Sequence, residues 1–129
     1  MSGAECEPPF AGTQVFVAED EFHILLLLED MLGSLGCQIV DTASRVDVAM
    51  QLAQRLTVDV AVLDVNLCGQ KIYPAAEMFK QRGIPFVFST GYSLSGIDPA
   101  WAKYPVVQKP FLLERLAQAL AQAISRQKS

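Results

Sequence analysis

Histidine and cysteine are scarce in this chain. His23 is the single histidine, and the three cysteines, Cys6, Cys37 and Cys68, include no C-x-x-C pair. An odd number of cysteines without that spacing indicates neither a disulfide framework nor a zinc site. A reducing, cytoplasmic setting is the expectation. His23 stands beside an acidic cluster, but a lone histidine there reads as a surface or capping residue, and it is assigned no role. Basic residues are few as well: 10 Lys and Arg against 14 Asp and Glu leave a net charge of −4. Nucleic acid and anionic membranes both attract a positive surface. Neither is an expected partner, which leaves a protein or a small ligand.

Long apolar runs are also missing. Ile24 to Leu28 is the longest, flanked by Glu21 on one side and by Glu29 and Asp30 on the other, and it is far below the roughly 20 residues of a membrane helix. It is expected as part of a buried helix. The opening stretch MSGAECEPPF has no basic segment leading into an apolar one, so it does not read as a signal peptide. What is present is ordinary for a globular domain: 129 residues, 51% hydrophobic and 19% charged, enough for one domain with a real core. Residues 1–12 and 127–129 are expected as tails, the first flexible, around a domain spanning 13–126.

Along the chain, strand-like and helix-like segments take turns. Thr13 to Glu19 reads as a strand, Glu21 to Leu35 as a helix ended by Gly33 and Gly36, and Cys37 to Asp41 as a short strand. Ser44 is a candidate N-cap for a helix through Leu56, with Val46, Met50 and Ala53 at helical spacing. Val58 to Leu63 is the most strand-like segment. Pro74 suits the first turn of a helix to about Arg82, with Gly83 placed to end it. PFVFS, from Pro85, reads as the fourth strand and PVVQ, ending at Gln108, as the fifth. Gly91, Gly96 and Pro99 make any helix between those two short. Leu112 to Ser125 reads as an amphipathic helix with Leu113, Leu116, Leu120 and Ile124 on one face. Five strands alternating with about five helices predict an α/β fold with a doubly wound parallel sheet.

In such a sheet, sites form beyond the carboxyl ends of the strands. Glu19 and Asp20 end the first strand, Asp64 the third, Thr90 follows the fourth and Lys109 the fifth. Three carboxylates at short range repel one another and stay ionised together only when a cation joins them. Oxygen ligands without His or Cys point to Mg²⁺. A carboxylate beside that metal can act as nucleophile and form an aspartyl phosphate, with the Thr90 hydroxyl and the Lys109 ammonium meeting phosphoryl oxygens. Each residue also has a plainer reading. Asp20 can be an N-cap, Asp64 a turn residue, Thr90 a β-branched strand residue and Lys109 a solvated loop lysine. Their joint placement favours the site.

The stretches VAEDE, VAVLDVNL, FVFSTGY and VVQKPF, in this order, resemble the receiver domains of two-component response regulators. The resemblance covers residues 13–126 and implies the flavodoxin-like strand order 2-1-3-4-5. It further implies that Asp64 is the phosphoacceptor and that Mg²⁺ is held by Asp20 and Asp64, by the backbone carbonyl of Asn66, and by Glu19 through water. Thr90 and Lys109 contact the phosphoryl group in this reading, the Lys109–Pro110 bond is cis, and Gly91 is small where a larger side chain would crowd the site. The implied role is that of a single-domain regulator, phosphorylated by a histidine kinase or histidine phosphotransfer protein, that signals to a downstream protein or passes the phosphoryl group on. From the starting Met and polar tail a complete chain is the expectation, with a receiver cut from a longer protein as the alternative.

The sequence departs from the common receiver pattern at Val106, where most receivers carry a Tyr or Phe that moves on phosphorylation. The FSTGY stretch is similar to that of alphaproteobacterial receivers with a Phe-Ala-Thr-Gly-Tyr motif. The loop from Tyr92 to Trp101 is therefore expected to be the moving part, with Tyr92 shielding the acyl phosphate and Trp101 a packing anchor. A phosphorylation-independent docking module is the alternative function. A haloacid dehalogenase type phosphatase needs a second Asp where this chain has Asn66.

Overall fold

Strand and helix alternate from Gln14 to Lys128 in the computed structural model, which describes residues 8–91 and 96–128. The elements are β1 (Gln14–Ala18), α1 (Phe22–Ser34), β2 (Gln38–Ala43), α2 (Val46–Arg55), β3 (Val60–Asp64), β4 (Asn66–Leu67), β5 (Gln70–Lys71), α3 (Tyr73–Gln81), β6 (Phe86–Thr90), β7 (Val106–Gln108) and α4 (Leu113–Lys128). A 3₁₀ turn, Pro99–Trp101, lies between β6 and β7. Five strands form one parallel sheet in the order β2-β1-β3-β6-β7, the predicted 2-1-3-4-5 order when only these five are counted. The fold is the doubly wound, flavodoxin-like α/β arrangement that was expected.

Burial follows from that order. In β3 and β6 every residue is buried, as strands covered by helices on both faces must be. Alternate residues serve opposite layers. Val15, Val17, Val60, Val62, Val87 and Val107 pack with Leu28 and Leu32 of α1 and Leu116 and Leu120 of α4. Phe16, Ala61, Leu63, Phe86 and Phe88 pack with Ala49, Leu52 and Ala53 of α2 and Ala75, Ala76 and Phe79 of α3.

Several details differ from the expectation. The Ile24–Leu28 run is not buried throughout: Leu28 is, whereas Phe22 is 68%, Leu26 46% and Leu27 37% exposed. A helix turns about 100° per residue, so five consecutive apolar residues surround it and cannot all face one sheet. Leu113 is likewise exposed, and Ala119 and Ala123 join Leu116 and Leu120 in the core. Ser44 does not cap α2; Arg45 holds that position without a side-chain cap, and the Ser44 carbonyl faces the Cys68 thiol at 3.5 Å. Four α-helices are present among the described residues rather than about five, because the β6–β7 connection, rich in Gly and Pro, contributes the 3₁₀ turn there. Residues 8–12, expected in the tail, are held by Phe10 N–H to Leu35 O and Gly12 N–H to Gly36 O bonds of 2.9 and 3.0 Å.

The β4–β5 hairpin was not foreseen. It is turned by Cys68 and Gly69, whose φ values of 49° and 81° suit the two central positions of a tight hairpin turn. Two strands of two residues each are too short to show a period.

Candidate functional site

Register brings the strand ends together. Ala18 pairs with Leu63, Asp64 with Ser89, and Ser89 with Val107. Whatever closes or follows β1, β3, β6 and β7 is therefore delivered to one edge. Glu19 and Asp20 follow β1, Asp64 is the last residue of β3, Thr90 the last of β6, and Lys109 follows β7.

Lys109 is the hub of this edge. Its Nζ donates to Asp64 Oδ2 at 2.9 Å and to Glu19 Oε2 at 3.2 Å, lies 3.1 Å from Glu19 Oε1, and reaches Glu21 Oε1 at 3.9 Å. Glu19, Asp64 and Thr90 are all buried. Burial and then the nearby Asp64 charge push the Glu19 carboxyl up to about 7, against the charge and hydrogen bond of Lys109 and the Glu21 N–H, which pull it down. Burial pulls Lys109 down, but the hydrogen bond and charge of Asp64, followed by those of Glu19, outweigh it. The ammonium is held above its ordinary value.

The remaining contacts set the orientation of each acid. Glu19 Oε2 also accepts from Glu21 N–H at 3.2 Å, whereas Glu19 Oε1 is buried without a hydrogen-bond partner among the described residues. Asp64 Oδ1 accepts from Asn66 N–H at 3.2 Å. Asp20 is exposed, and its Oδ2 accepts from Cys68 N–H at 2.9 Å across the hairpin tip. It does not cap α1, whose N-cap position is Glu21. The Thr90 carbonyl accepts from Lys109 N–H at 2.8 Å, and the Lys109–Pro110 bond is cis. An added Cβ on Gly91 would lie 4.0 Å from Lys109 Cδ. That is ordinary contact, so a methyl group fits there.

The donor set suits a hard cation. Glu19, Asp20 and Glu21 offer carboxylate oxygens that lie within 4.8 Å of one another, and Glu19 Oε1, whose near neighbour is the Lys109 ammonium at 3.1 Å, accepts no hydrogen bond among the described residues. A cleft of about 400 Å³ opens over them, lined by Asp20, Glu21, Asp64, Asn66, Gly91 and Lys109. Glu21 was read only as a helix flank. The signal that could have included it is the uninterrupted run Glu19-Asp20-Glu21 at a strand end. His23 is exposed on α1, and Tyr92 lies outside the described residues.

These features define an open, doubly wound α/β domain with an acidic, lysine-bridged site at the carboxyl ends of its strands. The chain is 42% identical to SdrG from Sphingomonas melonis, with a TM-score of 0.79 over 87% of this chain and 96% of that one. SdrG also has a solved BeF₃-activated conformation, 41% identical over 88% of this chain and 98% of that one at a TM-score of 0.76. The receiver domain of the PhyR response regulator from Erythrobacter litoralis is 28% identical over 92% of this chain and 95% of that one, at a TM-score of 0.74. Among curated proteins, the transcriptional regulatory protein PdtaR of Mycobacterium tuberculosis is 32% identical over 119 residues, 88% of this chain and 57% of that protein's length. No family model matches. The chain belongs to the receiver domains of response regulators.

Proposed function

We propose that this receiver accepts a phosphoryl group on Asp64 in a Mg²⁺-dependent reaction and relays the signal by protein contact or by onward phosphotransfer. The observation that carries this reading is the Lys109 ammonium, placed 2.9 Å from Asp64 Oδ2 and within 3.2 Å of Glu19 by a strand distant in sequence. A half-buried lysine bridging two buried carboxylates can exchange one of those contacts for an incoming phosphoryl oxygen.

An Asp64 carboxylate oxygen attacks phosphorus, the O–P bond forms as the donor N–P bond breaks, and the departing imidazole keeps the bonding pair and is protonated from water. Asp20, Asp64 and the Asn66 carbonyl would hold Mg²⁺, with Glu19 acting through water. When bound, the metal neutralises charge on the phosphoryl oxygens. Thr90, closing β6, presents its hydroxyl to the same group.

The expected donor is a histidine kinase or histidine phosphotransfer protein. Exposed Phe22, Leu26 and Leu27 on α1, together with Leu112 and Leu113, follow Asp20 and Lys109 in the chain. Exposed apolar side chains of this kind favour contact with a protein. The BeF₃-activated state of SdrG adds support, since beryllofluoride imitates an acyl phosphate.

The test is incubation with acetyl phosphate and Mg²⁺. A hydroxylamine-sensitive phosphoryl adduct on Asp64 is expected, lost in Asp64→Asn and with EDTA. Its absence from the wild-type chain would overturn the reading and leave the phosphorylation-independent docking module.

A further inference from the structure

Val106 occupies the position of the mobile aromatic, yet rings crowd the layer it packs against. Phe86, Phe88, Tyr73, Trp101 and Tyr104 form one connected cluster. Tyr73 is its link to three separate elements. Tyr73 opens α3, directly after the hairpin that begins at Asn66. Its ring meets Phe88 edge-on at 5.8 Å and 83°, and stacks on Trp101 at 5.6 Å and 9°. Its hydroxyl oxygen accepts the Asp98 N–H at 2.9 Å. Phe88 stands two residues before Thr90 in β6, and Asp98 caps the 3₁₀ turn by accepting from Ala100 N–H at 2.9 Å.

The far side of the cluster reaches the rest of the β6–β7 connection. Trp101 meets Phe88 edge-on at 5.9 Å and Tyr104 at 5.5 Å, and Tyr104 stacks on Phe86 at 4.8 Å. The Arg126 guanidinium of α4 sits 4.6 Å from the Tyr104 ring centre and donates to Lys103 O at 3.1 Å. Tyr73 thus touches Phe88, two residues before Thr90 in β6, and follows the hairpin that starts at Asn66, and interlocked rings shift as a set rather than deform one at a time.

We propose that Tyr73 is the positioning residue that transmits occupancy of the Asp64 site to the connection 97–104, by its ring through Trp101 and by its hydroxyl through Asp98. This rests on Asp64 being the phosphoacceptor. It assigns to α3 and Trp101 the readout that Val106 has no ring to make.

Trp101 is the single tryptophan of the chain, so its emission reports the stack directly. The experiment follows Trp101 fluorescence as Mg²⁺ and beryllofluoride are added, with acetyl phosphate labelling measured on the same preparations. Wild-type emission is expected to change on loading, and Asp64→Asn to show no change. Tyr73→Leu should label normally with the emission response lost. Tyr73→Phe, which keeps the ring and so guards against a folding defect, should label normally with a smaller response. Full labelling with static wild-type emission overturns the relay alone, as does a wild-type response in both Tyr73 variants. Absence of labelling overturns the phosphoacceptor reading and the relay with it.

Discussion

Glu19 is held far from its behaviour in water. Its ordinary value is 4.5, and burial with Asp64 nearby takes it to about 7. The folded state therefore holds a proton that the unfolded chain releases. This group's contribution to stability is present below pH 4.5 and falls as pH rises to about 7. Without metal, wild-type stability should decline across that window, and Glu19→Gln should flatten the decline, gaining about 1–3 kcal/mol at pH 8. Urea midpoints between pH 5 and 8 check this, and a parallel slope in both proteins would refute it. The acids and the lysine were legible as residue types at strand ends. Their pairing was not, because Lys109 Nζ meets Asp64 across 45 positions of sequence. At Gly91 the ordinary 4.0 Å contact of an added Cβ with Lys109 Cδ predicts that Gly91→Ala changes stability by less than about 0.5 kcal/mol in a thermal melt.

Among the elements, the β4–β5 hairpin shows what local pattern cannot supply. Its tip holds Asp20 through the Cys68 amide at 2.9 Å, so the turn serves the site although none of its side chains reacts. Gly69 has a φ of 81° and open space around an added Cβ. Gly69→Val should strain the turn by about 1–3 kcal/mol without a clash and weaken Mg²⁺ binding measured by calorimetry, whereas Gly69→Asn, which tolerates this conformation, should bind nearly as the parent does. Equal affinity in all three would separate the hairpin from the metal site. Gly36 is a different case. A Cβ there would stand 2.8 Å from Ala11 Cα and Pro8 Cβ at a φ of 93°, so Gly36→Ala should lower the denaturation midpoint by an amount worth about 1–3 kcal/mol. Gly36 was legible as lying just past a helix end, although Gly33, read the same way, falls inside α1; the packing of residues 8–12 over Gly36 was not legible, since PPFAGT has no period to place it.

For the molecule as a whole, the proposed phosphoryl site and the exposed apolar residues of α1 are separable. Phe22 and Leu26 are exposed on α1, outside the cleft that Asp20, Asp64 and Lys109 line. Leu26→Ser combined with Phe22→Ser should slow phosphotransfer from a protein donor at least roughly tenfold while leaving labelling by acetyl phosphate unchanged. Equal slowing with both donors would place these residues in the chemistry instead. The sequence by itself determined the alternation of strand and helix and which residue types end each strand, because period and polarity are local properties of the chain. Only the tertiary structure decided which face of the apolar α1 is buried, that Lys109 bridges Glu19 and Asp64, and that five rings join α3 to the β6–β7 connection. Those outcomes depend on strand register and on helix rotation against the sheet, which are set by contacts between segments far apart in sequence.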